Sequence, residues 1–167
     1  MLKKSIEDIC NRQVEREFYS SLLYLSMASW TETQGYAGIA DWLYEQAEEE
    51  KMHMLKFVRY INERGGHAIM PALKKPPVEF GNINKMFDDV LEHEKYISES
   101  INEIVALTVK EKDFATHNWL QWFVSEQVEE ESSVQDIIDK LNLVGDHNMY
   151  MFDRDILGMR AEAEAEE

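Results

Sequence analysis

Cysteine, proline and glycine are scarce in this chain of 167 residues, and each scarcity excludes a class of structure. The single cysteine, Cys10, allows no disulfide within the chain, which favours a reducing, cytoplasmic location. We expect Cys10 to be a small core residue and not a reactive thiol. Only 3 prolines and 7 glycines interrupt the chain. Long uninterrupted elements are therefore predicted, and the abundant Glu, Leu, Lys and Ala favour helix.

Long apolar runs and an excess of basic residues are also missing. Charges interrupt the first residues, which argues against a signal peptide, and no window approaches the ~20 apolar residues of a membrane span. The chain has 17 basic and 33 acidic residues, a net charge of -16. Such a chain repels nucleic acid and anionic membranes. We expect neither as a partner, and we expect the charge to attract cations.

The apolar periodicity that the sequence does contain is that of α-helices. Four helices of about seven turns, each ~40 Å long, and a short fifth helix are predicted over about residues 5–33, 38–64, 82–112, 113–145 and 146–160. Ser5 with Asp8 is predicted to open the first helix as a capping box. Asn82 and Asp113 are predicted to cap the third and fourth.

The connections between these helices indicate an all-α, four-helix bundle. Short links join the first helix to the second and the third to the fourth, which predicts two antiparallel hairpins. The loop over 66–81, with all three prolines, is long enough to cross the bundle lengthwise, and one such crossover is known among four-helix bundles. We expect one domain over 1–160 and an acidic, disordered tail over 161–167.

The inward-facing positions of each helix are mainly apolar, but polar groups interrupt them near the middle. These positions are, helix by helix, Ile6, Cys10, Gln13, Glu17, Ser20, Tyr24 and Met27; Ile39, Leu43, Gln46, Glu50, His53, Phe57 and Tyr60; Ile83, Phe87, Val90, Glu94, Ile97, Ile101 and Ile104; Leu120, Phe123, Gln127, Glu130, Val134, Ile137 and Leu141. One glutamate lies near the midpoint of each helix, so antiparallel packing brings four carboxylates to a similar depth: Glu17, Glu50, Glu94 and Glu130.

Four buried carboxylates need a counter-charge. They cannot all ionise together without one, and no Lys or Arg occupies an inward position, so the counter-charge is protons or metal cations. Two divalent ions would neutralise the four charges, and Glu50 is placed to bridge them. His53, three residues after Glu50 on the same helix face, adds a neutral nitrogen ligand. Oxygen-rich sites with one imidazole suit Fe, Mn or Zn, and spacing does not choose among these.

The chain resembles the bacterial non-haem ferritins over essentially its whole length. The matching motifs are Glu17 followed by Tyr24, Glu49-Glu50-Lys51-Met52-His53, Glu94, the stretch from Asn118 to Gln127, and Ser125-Glu126-Gln127-Val128-Glu129-Glu130. The resemblance implies an iron-storage protein with ferroxidase activity, which oxidises Fe(II) with dioxygen or peroxide. It also implies a homo-oligomeric, twenty-four-subunit shell that holds the ferric mineral.

The resemblance further implies roles for individual residues. It implies one iron held by Glu17, Glu50 and His53, a second held by Glu50, Glu94 and Glu130, and a third, nearby iron held by Glu49, Glu126, Glu129 and Glu130. Gln127 would be a neighbouring polar group. Tyr24 would be a hydrogen-bonding and redox-capable neighbour.

Two departures from related bacterioferritins bear on the cofactors. Those proteins carry a second Glu-x-x-His motif where this chain reads Gln127-Val128-Glu129-Glu130, so the two iron sites should differ. Their haem-binding methionine directly follows the bridging glutamate, where this chain has Lys51. We therefore expect no haem.

Other functions remain open. The main alternative is a non-storage di-metal carboxylate enzyme. A rubrerythrin-like peroxidase would usually carry a Cys-x-x-Cys domain, which a single cysteine disfavours, whereas an oxygenase would need a substrate cavity that sequence does not reveal. A DNA-protecting mini-ferritin would lack the fifth helix, and buried carboxylates disfavour a purely structural bundle.

The fifth helix is predicted to support assembly. A four-helix bundle is complete without it, yet Met149, Phe152, Ile156 and Met159 give it an apolar stripe that needs a surface to bury against.

Overall fold

The computed structural model describes the backbone of residues 1–165 and the side chains of 1–145 and 147–159. In this part of the chain the elements are α1 (Lys4–Thr33), α2 (Ala37–Glu63), α3 (Ile83–Glu111), α4 (Phe114–Val144), a short 3-10 turn (Asp146–Asn148) and α5 (Met149–Ala165). The predicted four-helix bundle with one long crossover and a fifth helix is confirmed. None of the helices within 1–165 is long and apolar enough to cross a membrane.

The predicted caps are confirmed for α3 and α4 but not for α1. The Asn82 side chain accepts a hydrogen bond from the Lys85 amide, and Asp113 accepts one from the Thr116 amide. The capping box at Ser5 is wrong, because α1 begins at Lys4 and has no side-chain cap. The carbonyl of Lys3 accepts the first amide hydrogen bonds, and its Nζ donates to the carbonyl of Glu111 at 2.6 Å. Ser5 therefore lies inside the first turn.

The bundle core is the one that helical periodicity predicts. Every predicted inward position is buried, including Cys10, which is fully buried. The apolar side chains form two clusters. One contains Tyr24, Leu43 and Phe87, and the other contains Phe57 and Ile97 among others. Along each long helix the glutamate lies between the two clusters, so an acidic layer divides an apolar core.

The crossover between α2 and α3 runs along α1 from one end of the bundle to the other. Near its start, Asn11 Nδ2 donates to the carbonyl of His67 at 3.1 Å. Near its end, Ser26 Oγ donates to the carbonyl of Pro77 at 2.6 Å, and Trp30 Nε1 donates to Glu79 at 3.2 Å. The segment therefore spans the bundle lengthwise, as predicted.

Helix α5 packs on α2 and α4 of its own chain. Phe152 and Ile156 are buried in the same cluster as Tyr24. The approach is close at Gly38, where a Cβ atom would lie 1.8 Å from the carbonyl oxygen of Asp153. The Asp153 carboxylate also accepts a hydrogen bond from the Ile39 amide at 2.9 Å, at the start of α2. Phe152 and Ile156 of the predicted stripe are thus buried within the chain, and Met149 and Met159 pack half-buried against the same cluster, so the stripe alone is no argument for assembly.

Helix α5 ends at Ala165 and not near residue 160. It therefore includes the first five residues of the segment expected to be a disordered tail. Glu166 and Glu167 of that segment lie outside the described residues. The division into a domain over 1–160 and a tail stays a prediction.

Candidate metal centre

The acidic layer contains one glutamate from each long helix. The side chains of Glu17, Glu50 and Glu94 are each 1% exposed, and that of Glu130 is 6% exposed. Each glutamate faces inward because apolar residues three or four positions away hold that helix face against the core. Carboxylates this deeply buried are rare unless something compensates their charge.

One group of possible metal ligands lies entirely on α1 and α2. Single ligand atoms of Glu17, Glu50 and His53 all lie within 4.8 Å of one another, and His53 Nδ1 lies 3.9 Å from Glu50 Oε2. Four buried atoms here have no hydrogen-bond partner among the described residues: Glu17 Oε2, both carboxylate oxygens of Glu50, and His53 Nδ1. Buried polar atoms are almost always paired. Four unpartnered ligand atoms on three residues that lie this close together fit a bound cation.

The buried carboxyl groups of Glu17 and Glu50 hold their protons more tightly than ordinary glutamates do. Burial raises the pKa of Glu50 well above its ordinary value, and the charges of Glu94, Glu17 and Glu130 raise it further. Burial also raises the pKa of Glu17, to about 7, although the hydrogen bond from Gln13 opposes the rise. Without a metal, the centre therefore holds protons that a cation must displace.

The imidazole of His53 is neutral near pH 7, which is the form that binds metal. Burial lowers its pKa to about 4, and the nearby charge of Lys56 acts in the same direction. The ring centroids of Trp122 and Phe123 lie 5.4 and 5.9 Å from that of His53, both edge-on. These rings hold the imidazole in place, so the unpaired Nδ1 keeps its direction towards Glu50.

The other side of the centre contains Glu94 with two donors. Tyr24 Oη donates a hydrogen bond to Glu94 Oε1, and Gln127 Nε2 donates to Glu94 Oε2 at 3.2 Å. Burial raises the pKa of Glu94, and both donors oppose the rise. Burial, together with the charge of Glu94, raises the pKa of Tyr24 well above its ordinary value, so the phenol stays protonated as a donor.

The structure brings the residues of the first predicted ligand set together, whereas the second set stays a prediction. Glu94 and Glu130 belong to neither of the ligand groups found among the described residues. The charges of both carboxylates nevertheless raise the pKa of Glu50, so they lie near it in the acidic layer. The bridging role of Glu50 stays a prediction.

A second ligand group borders the first. It consists of Glu49, His53 and Glu126, again with single ligand atoms within 4.8 Å of one another. Two members, Glu49 and Glu126, are residues predicted for a third iron. The other two predicted members differ in burial, because Glu130 is buried in the acidic layer whereas Glu129 is exposed.

Comparison with known proteins identifies the family. The sequence model of the Ferritin family, a ferritin-like domain, matches residues 7–144. The chain belongs to the ferritin family. A probable bacterial non-heme ferritin-like protein of Haemophilus influenzae is 39% identical to this ferritin over 98% of the chain and 100% of the relative. A bacterial non-heme ferritin of Campylobacter jejuni is 38% identical over 92% of the chain and 93% of the relative.

A solved structure agrees with this ferritin in fold. The open pore ferritin of Archaeoglobus fulgidus superposes with a TM-score of 0.91 at 40% identity, over 93% of this chain and 96% of that one.

Gln13 touches the candidate centre directly, a contact that the sequence motifs do not indicate. Its Nε2 donates to Glu17 Oε1 at 2.8 Å. The available signal was its spacing, because a buried glutamine four residues before a buried glutamate lies on the same helix face.

Proposed function

We propose that this ferritin stores iron and that its acidic layer is a ferroxidase centre, which oxidises Fe(II) with dioxygen. The observation that carries the proposal is the set of four orphaned ligand atoms on Glu17, Glu50 and His53, enclosed in an apolar core. Membership of the ferritin family supports iron as the metal. A buried group with both carboxylate and imidazole ligands suits Fe(II) better than it suits Mg²⁺ or Ca²⁺.

Two Fe(II) ions are the substrates in this proposal. Glu17, Glu50 and His53 would hold one, and Glu50, Glu94 and Glu130 the other. Each Fe(II) gives up one electron, and one dioxygen molecule accepts both electrons and two protons to become hydrogen peroxide. Two metals held together make this two-electron step possible in one place. The Fe(III) ions then leave for mineral storage.

Tyr24 and Gln127 would hold Glu94 in place during this reaction. Both donate to opposite oxygens of its carboxylate, which fixes the carboxylate plane. A redox role for Tyr24 is part of the proposal. If it exists, Tyr24→Phe should alter the later phase of stopped-flow iron oxidation, and kinetics identical to wild type would exclude it.

Three finer expectations also belong to the proposal. A third iron would bind at Glu49 and Glu126, with Glu129 and Glu130 completing its ligands. The chain would form a homo-oligomeric shell of twenty-four copies in the cytoplasm. It would carry no haem, which a purified sample without a Soret absorption band would support.

The experiment that tests the proposal is aerobic Fe(II) oxidation by metal-free protein, followed at the near-ultraviolet ferric-oxo absorption. Wild type is compared with Glu50→Ala and His53→Ala. Glu48→Ala is the matched control, because Glu48 is an exposed neighbour on α2 that pairs with Lys51. Sedimentation measures the oligomer in every sample.

We expect fast oxidation by wild type and Glu48→Ala in a large shell, and loss of the fast phase in the other two variants. Equal rates in all four proteins would refute the ferroxidase centre. Fast oxidation by a small species would instead favour the non-storage di-metal enzyme.

A further inference from the structure

Gln13 is fully buried in the bundle, and its amide lies between the metal centre and two donors. Nε2 donates to Glu17 Oε1 at 2.8 Å. On the other side, Ser100 Oγ of α3 donates to Gln13 Oε1 at 2.8 Å, and Arg16 Nη1 lies 3.5 Å from the same oxygen.

The surroundings determine which end of the amide faces the carboxylate. An arginine side chain can only donate hydrogen bonds, so the atom that faces Arg16 must be the amide oxygen. The hydroxyl of Ser100 also lies 2.7 Å from the carbonyl of Ile97 and has one proton to give. The 3.5 Å contact from Arg16 supports the orientation that the 2.8 Å hydrogen bond from Ser100 sets. The NH2 group is left to face Glu17.

This arrangement makes the two oxygens of Glu17 unequal. Oε1 accepts the hydrogen bond from Gln13, whereas Oε2 is buried and has no partner among the described residues. We propose that Gln13 is a positioning residue that occupies Glu17 Oε1, so that Glu17 binds metal through Oε2 alone. The inference rests on the proposed metal centre. It adds that Oε2 is the Glu17 oxygen that binds metal and that Gln13 orients the carboxylate.

The expected size of the effect follows from other metal sites. A hydrogen-bond partner of a metal ligand typically contributes about 10-fold to 100-fold in metal affinity. Gln13→Met keeps the length and burial of the side chain but removes the amide. Glu17 could then rotate or bind through both oxygens.

The test uses Co(II), which is not oxidised by the centre and has a visible spectrum that reports ligand geometry. Metal-free, assembled protein is titrated with Co(II), and affinity and spectrum are recorded. We expect Gln13→Met to weaken binding about 10-fold to 100-fold at one of two sites and to change the spectrum of that site.

Gln135→Met is the control. Gln135 is exposed on α4, and its Nε2 donates to Asp139 at 3.0 Å, which is none of the proposed ligands. Co(II) binding at the Glu17 site should therefore be unchanged in Gln135→Met.

A double-variant cycle separates positioning from general destabilisation. If Gln13 acts through Glu17, adding Gln13→Met to Glu17→Gln should cause no further loss of Co(II) affinity. A residue that only supports the fold would add the same loss in both backgrounds, and that result would overturn the inference. So would a wild-type affinity and spectrum in Gln13→Met.

Two further variants keep the result interpretable. If Gln13→Met does not assemble, Gln13→Asn withdraws the amide by one methylene and should weaken the same site, while unchanged binding would overturn the inference. Glu50→Ala tests the centre itself. If it binds Co(II) as wild type does, the proposed metal centre fails. If it loses binding while Gln13→Met keeps it, only the role of Gln13 fails.

Discussion

Replacing Glu17 by glutamine should make the metal-free protein more stable, although it removes a proposed ligand. The pKa of Glu17 is about 7 in the folded chain against an ordinary value of 4.5. The folded state therefore binds the proton more tightly than the unfolded state. Folding stability falls as pH rises from about 4.5, and the loss is complete above about 7. A pKa difference of about 2.5 corresponds to about 3 kcal/mol.

Glutamine has the same shape and no charge to bury, and its carbonyl oxygen can still accept the hydrogen bond from Gln13. Glu17→Gln should thus gain about 3 kcal/mol at pH 8 and close to nothing at pH 4. The assay is denaturant unfolding of metal-free protein with chelator present, at several pH values and in the same oligomeric state. Glu15→Gln, on the exposed face of α1, is the control and should change stability little at any pH.

Adding Zn²⁺, which has no redox chemistry, should make wild type more stable than Glu17→Gln. The metal stabilises the form that binds it, so wild type should gain more from Zn²⁺ than Glu17→Gln does. A variant less stable than wild type at pH 8 without metal, or a gain that does not change with pH, would refute the reasoning.

Three further predictions concern positions outside the centre. Gly38→Ala should destabilise the chain by about 2 kcal/mol or more, because α5 must then move away from α2 and Asp153 loses its hydrogen bond with the Ile39 amide. The control is Gly158→Ala, where a Cβ meets nothing within 4 Å, and its melting temperature should equal that of wild type. Cys10 is buried, and burial raises its pKa to about 12, so a thiol reagent should label it only after unfolding. Rapid labelling of the native protein would contradict this. Lys112 ends α3 with a left-handed φ of 57°, so Lys112→Gly should stabilise by about 1 kcal/mol, and a lower melting temperature would count against strain there.

The features that sequence predicted well are those fixed by local helix phase. Glu17, Glu50 and Glu94 could be placed in the core because apolar neighbours on the same helix face determine which way each one points. His53 follows from the same argument, since it lies three residues after Glu50. The approximate bounds of the long helices also depend on local signals such as Asn82.

The features that sequence predicted badly depend on contacts between distant residues. The start of α1 has no side-chain cap, so the capping pattern at Ser5 misplaced it, and Lys3 instead contacts Glu111 on another helix. The centre of the α5 stripe is buried in its own chain because Gly38 lets the helix approach α2 closely. In the sequence, a glycine near the start of a helix does not indicate such a contact. The role of Gln13 needs Ser100, which lies on another helix.

The distribution of ligands over the two hairpins also has a consequence for synthesis on the ribosome. Glu17, Glu50 and His53 all belong to α1 and α2, whereas Glu94 and Glu130 are translated later. The nascent chain thus carries three of the five proposed ligands before the other two exist. The acidic layer is enclosed only when α3 and α4 dock on α1 and α2, so an unfinished chain cannot complete the proposed centre.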